Sequence, residues 1–410
     1  MTWRGDRVAL RFEGVYKSAQ VWVNGRTVKS YGGSPGVGGW SAEAYTEFEV
    51  RLDNLTGLAY GKGAKANVIA IYVNGEPGNE HWYTGAGLYR SVHLIHSKLL
   101  HIDPLASYFP AKLSGDDVPG ATRETSALTA NVQAEVGLVN DANTAMTAGV
   151  VVRVFDANDN LVGTTNQPTT TVSASDNVIV RLPAITIGSP RLWGIQSPYL
   201  YTVVTDVVDA SSRQVLDSVN TTLGVRSIRW DYDRGFFLNG DNIKLRGFCH
   251  HDSFTGVGMA IPERVWLLRA QQSRGVGANG WRMSHNNYRD SVYSLADAMG
   301  TVVWDENRDL REMGLAAMNK MVRAHRHHPS VAVWSLCNEG ECDFGRNRTT
   351  GRRLVNNTVY SQFRSLTKKL DPYRAVSGNM FAEYGPGTLT DFLDLQGLSH
   401  PPTFEITGSH

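Results

Sequence analysis

The sequence predicts two β-sandwich units, a jelly roll and then an immunoglobulin-like sandwich, followed by a (β/α)8 TIM barrel. Three observations carry this. Up to about residue 226, apolar residues alternate in short runs separated by turn signals, with no helix-period segment of any length. From Gly224 onward, short apolar runs alternate with helix-period stretches, which implies βα units and a parallel sheet. Polar clusters stand directly after several of those runs, where a barrel carries its chemistry. The expected units are residues 1–97, 98–226 and 227–410.

In the first unit, Val8, Leu10 and Phe12 alternate, and Val21 and Val23 lead into Asn24-Gly25, a strong hairpin signal. Residues 67–73 and 91–96 repeat the pattern. A strand starting almost at residue 1 makes the jelly roll read as incomplete at its N-terminus. In the second unit, strands are expected over 127–138, 148–155, 173–182 and 199–209, rich in Thr, Val, Asp and Asn. Turn signals fall between them, a spacing that suits a small sandwich. Trp193 reads as a core aromatic beside a turn. In the third unit, strands are expected over 242–248, 278–283, 301–304, 331–336, 372–378 and 392–397. Helices are expected over 262–274, 291–299, 315–326 and 354–370.

Composition narrows the function. Forty Lys+Arg against thirty-nine Asp+Glu leave a net charge of +1, without the basic excess of a nucleic-acid binder. Apolar residues at 41% are enough for real cores and too many for a disordered chain. Three cysteines cannot form a disulfide framework. No apolar run approaches the ~18 residues of a membrane span, and the first residues carry no secretory h-region. Compartment and oligomeric state stay open; four Asn-x-Thr sequons, at Asn54, Asn220, Asn347 and Asn356, are too short a pattern to decide.

The sharpest motif is Trp334-Ser335-Leu336-Cys337-Asn338-Glu339. An apolar strand delivers an amide and a carboxyl to the barrel mouth. A carboxylic acid there can serve as general acid, and the amide can donate to a substrate hydroxyl. An Asn-Glu pair alone is common at strand-to-loop junctions. Here, however, Arg282 with His285, then His250-His251-Asp252, then Asp305-Glu306 end neighbouring strands in the same way. Metal binding is the competing use of so many His and carboxylates, but no His-Glu-x-x-His or Cys-x-x-Cys spacing occurs, and no metal or cofactor is expected. His327-His328 before Pro329 reads as shaping the approach to the strand.

These residues resemble glycoside hydrolase family 2, the family of β-galactosidases, β-glucuronidases and β-mannosidases. The resemblance rests on the segment from Trp82 to Arg90, on Gly224-Val225-Arg226, and on Leu245-Arg246-Gly247 with His251-Asp252. It continues through Arg282-Met283-Ser284-His285 and Asp305-Glu306-Asn307, and from His328-Pro329-Ser330 to Asn338-Glu339. The resemblance implies a retaining glycosidase acting on a carbohydrate. Glu339 would be the acid/base, and Asn338 would hold the sugar 2-hydroxyl. His285, Arg282, His251 and Asp252 would bind the sugar or orient the carboxylates.

A retaining enzyme needs a second carboxylate ~5–5.5 Å from the first. In this family it follows the seventh strand. At roughly 30 residues per βα unit that falls near residue ~430, past His410. Glu383 and Glu405 lie too early, so the barrel reads as incomplete at its C-terminus and the chain alone as inactive. Asp305-Glu306-Asn307-Arg308, with His251-Asp252 and Gly256-Val257-Gly258, looks most like the β-galactosidase branch. Asn307-Arg308-Asp309-Leu310 stands where the metal-dependent branch has Glu-x-His, so no magnesium site is carried over. A β-glucuronidase, or a catalytically inactive carbohydrate-binding or scaffold fragment, are the alternatives.

Overall fold

The structure is a computed structural model. It describes residues 3–16, 18–31, 45–61, 65–74, 87–114, 128–307, 310, 312–339, 342, 357–380 and 389–398. Trp82 to Ala86, Arg308, Asp309, Glu383, Glu405 and the sequons at Asn347 and Asn356 lie outside these residues.

The first unit packs two three-stranded antiparallel sheets. One orders Phe48–Arg51, Arg7–Phe12 and Val92–Ser97; the other orders Arg26–Tyr31, Ser18–Val23 and Ile69–Asn74. The period-2 pattern does what it predicts: Ala19, Val21 and Val23 turn inward onto Val8, Leu10, Phe12 and Val50. Asn24 and Gly25 both adopt positive φ, the twist that a two-residue hairpin needs.

The second unit packs two four-stranded sheets around Val132, Val136, Leu138, Val150, Val152, Val203 and Val207. Leu161–Val172 and Val215–Leu223 are strands that the sequence reading left out. Both are outer strands of one sheet and carry many Thr, Asn and Asp on a half-solvated face. Pro168 is tolerated there because an edge strand leaves one row of amides unpaired.

A small antiparallel sheet over residues 228–242 leads into six parallel strands hydrogen-bonded in chain order. They are Gly247–His251, Gly280–Ser284, Val302–Glu306, Val331–Asn338, Ala375–Met380 and Leu395–Leu398. The strand expected over 242–248 is therefore divided: Asp241–Asn242 belongs to the small sheet, and the parallel strand starts at Gly247. Helices Glu263–Gly275, Asp290–Met299, Glu312–His325 and Asn357–Leu370 cover the outer face. All eight residues of Val331–Asn338 are buried. Each fully buried Val or Leu there contributes about 1.5–3 kcal/mol. Phe248 on the first strand and Leu398 on the sixth are half-exposed, as the edges of an unclosed parallel sheet would leave them. Among the described residues no helix is long and apolar enough to cross a membrane.

Two arginines, Arg326 buried and Arg226 half-buried, join the units. Arg326 donates to the carbonyls of Leu105, Ala106, Ser107 and Leu370, tying the second sandwich to the barrel. Arg226 donates to the carbonyls of Pro329 and Val331 at the foot of the fourth strand. Two residues earlier, a Cβ on Gly224 would run into the Pro329 ring. Gly224→Ala is expected to destabilise by about 1–3 kcal/mol through overpacking. A urea midpoint equal to wild type would show that this junction is loose.

Candidate active site

Strand alternation decides which polar residues meet. On four consecutive parallel strands, His251, Glu306 and Asn338 stand at the C-terminal ends and Arg282 two residues before the end of its strand, all on the inner face. Their neighbours turn outward to the helix layer. His250 packs its ring against Trp266 and Trp281. Burial pushes its pKa down to about 4, so it is a neutral core residue at pH 7. Asp305 accepts from Tyr293 Oη at 2.6 Å and contacts His325 Nδ1 at 2.8 Å.

Glu306 is the hub of the inner face, with no exposed surface. Arg282 Nη2 donates to Glu306 Oε2 at 2.6 Å and to Asn338 Oδ1 at 2.6 Å. Ser335 Oγ donates to the same carboxylate at 3.1 Å. His285 Nδ1 lies 2.6 Å from Glu306 Oε1. Facing a carboxylate, Nδ1 carries a proton and donates it. Burial alone would raise the Glu306 carboxyl, but Arg282 and His285 outweigh it and hold the pKa below its ordinary value. His251 and His285 meet edge-to-face with centroids 5.3 Å apart. Asn379, on the fifth strand, donates to Asn338 Oδ1 at 3.4 Å.

Glu339 follows Asn338 directly, partly buried, with φ of +48°, a conformation non-glycine residues rarely hold. A disulfide joins Cys337 to Cys342 and brackets it. Both cysteines are fully buried, Cys342 N donates to Glu339 O at 2.7 Å, and Tyr360 Oη donates to Cys342 O at 2.8 Å. The sequence reading had no place for this bond: a single pair five residues apart is not a framework.

The structure thus gathers Arg282, His285, His251 and Asn338, with Glu339 next in the chain. Asp252 stands apart from the Glu306 network. Its carboxylate takes Arg90 Nη2 at 3.0 Å, and Arg90 also donates to the carbonyls of Asn287 and Tyr45. Arg90 closes the segment from Trp82 to Arg90, so that segment's end packs the first unit onto the barrel. Tyr89 beside it is buried against Tyr16, Tyr45 and Met259. Sequence reasoning passed over Glu306 as a site residue. The signal was available, because a period-2 strand sends Asp305 and Glu306 to opposite faces.

Comparison with known proteins bears on the family and the fold. Residues 120–226 match the family described as glycosyl hydrolases family 2. Residues 232–316 and 307–383 match its TIM barrel domain. A β-galactosidase of Bacteroides ovatus is 28% identical over 413 aligned residues, covering 91% of this chain and 45% of that protein. A β-glucuronidase of Bacteroides fragilis is also 28% identical, covering 97% of this chain and 58% of that one. A crystal structure of a family 2 member from Bacteroides cellulosilyticus superposes with a TM-score of 0.80 at 26% identity, over 97% of this chain and 50% of that chain. The chain spans about half the length of these relatives. From its two sandwiches, its parallel sheet and these matches, the chain belongs to glycoside hydrolase family 2.

Proposed function

We propose that this chain carries the acid/base half of a retaining β-glycosidase of the β-galactosidase type. The carrying observation is the placement of Asn338-Glu339 at the end of a wholly buried strand, beside a locked Arg282–Glu306–His285 network. Glu339 protonates the glycosidic oxygen and then activates the water that cleaves the glycosyl-enzyme. Asn338, whose Oδ1 is held by Arg282, presents its Nδ2 to the sugar 2-hydroxyl. His285 Nε2 and His251 line the sugar site, and Arg282, Glu306 and Asp252 hold that wall in position. No metal is assigned a step.

The nucleophile is placed on a strand after residue 410, since double displacement needs a second carboxylate and the relatives run to about twice this length. The test assays aryl β-galactoside and β-glucuronide with the 410-residue chain and with a version extended over the full barrel. The short chain is expected to release little or no phenol. The extended protein is expected to favour the galactoside in kcat/KM by at least ~10-fold. A preference for the glucuronide would transfer the assignment to that branch, a reading the equally similar B. fragilis β-glucuronidase supports. An extended protein inert on both would leave a carbohydrate-binding scaffold.

A further inference from the structure

We propose that Asp290, His327 and His328 form a binding site for a divalent transition metal of the zinc type, away from the Glu306 network. Two segments build it: the first turn of helix Asp290–Met299, and the His-His-Pro run that enters the strand Val331–Asn338. One ligand atom from each of the three lies within 4.8 Å of the others. Asp290 Oδ1 is 3.0 Å from His328 Nε2 and 3.8 Å from His327 Nε2. Donors around a tetrahedral zinc stand ~3.3 Å apart, from bonds of ~2.0–2.1 Å. These two separations bracket that spacing.

The surroundings resemble the outer support that a metal-binding imidazole has. Asp297 Oδ2 holds His328 Nδ1 at 2.5 Å and fixes which nitrogen faces the site. Asp297 is itself fully buried and fixed, accepting Ser330 N on its other carboxylate oxygen and Trp193 Nε1 on its carbonyl. His327 lies against the His328 ring, with centroids 4.0 Å apart. Among the described residues the opposite side is open. Asp290 is 60% exposed and looks into a cleft of about 510 Å3, lined also by Glu47, Thr221, Ser294 and Lys320. Water can complete the coordination from there. Two imidazoles, a carboxylate and an open position make a donor set that suits zinc, cobalt or nickel and not a hard cation such as magnesium.

The probe is Zn2+ titrated into the chelator-stripped 410-residue chain by calorimetry, with Co2+ as a visible-absorption reporter. One equivalent is expected, tighter than ~10 μM, with the Co2+ spectrum of a four- or five-coordinate site. His327→Ala and Asp290→Asn should each weaken binding at least ~10-fold. His96→Ala, on the first sandwich, should leave it unchanged. His328 is left intact because its loss would strip a buried partner from Asp297. No binding tighter than ~1 mM, or binding indifferent to both His327→Ala and Asp290→Asn, would overturn the site.

Discussion

Glu339→Gln, in a protein extended over the full barrel, lowers kcat on a phenyl glycoside by about 10²- to 10⁴-fold. Glutamine keeps the shape and the hydrogen-bonding edge but has no acidic proton to give. A poor leaving group must receive that proton as the glycosidic bond breaks. A dinitrophenyl glycoside needs no such help, so its first step survives and water attack on the glycosyl-enzyme becomes limiting. Added azide, which needs no general base, should then restore turnover and yield a β-glycosyl azide. The measurement is phenol release for both leaving groups, with and without azide. Equal losses on the two substrates and no azide rescue would assign Glu339 to positioning and return the acid/base role to another carboxyl.

Glu306→Ala is expected to cost about 3–5 kcal/mol of stability. The loss would not be the worth of the ion pair but the penalty for Arg282, left mostly buried with no counter-charge, and for a His285 without its acceptor. Glu306→Gln should cost less, because the amide oxygen still accepts. Acid should reveal the same network. The Glu306 carboxyl titrates below its ordinary value when folded, so its contribution is complete above that value and fades as pH falls through the lowered one. Urea midpoints followed from neutral pH downward should fall in the wild type, and less steeply in Glu306→Gln. Parallel curves for the two proteins would show that the network does not contribute to stability.

What could be read in the sequence was whatever repeats locally. Val8, Leu10 and Phe12, or Val331 through Leu336, announce strands because burial acts on one short segment at a time. The residues standing past the strand ends were legible for the same reason. Partnerships across the chain were not. Arg90 finds Asp252 across 162 residues, and nothing near either position names the other. Leu161–Val172 was missed because a half-solvated edge strand does not need the apolar alternation that marks a core strand. His250 and His251 looked equivalent as neighbours in a motif, yet one sits among tryptophans and the other faces His285.

The bond between Cys337 and Cys342 makes Glu339 a member of a small covalent ring. A ring of six residues has fewer conformations than an open chain, which narrows the choices left to the backbone around Glu339. Cleaving the bond would return that stretch to an open chain tethered at Asn338 and at the Tyr360 contact. A thiol reductant in the buffer is therefore a structural variable: wherever it reaches this buried bond, it changes the scaffold that carries Glu339.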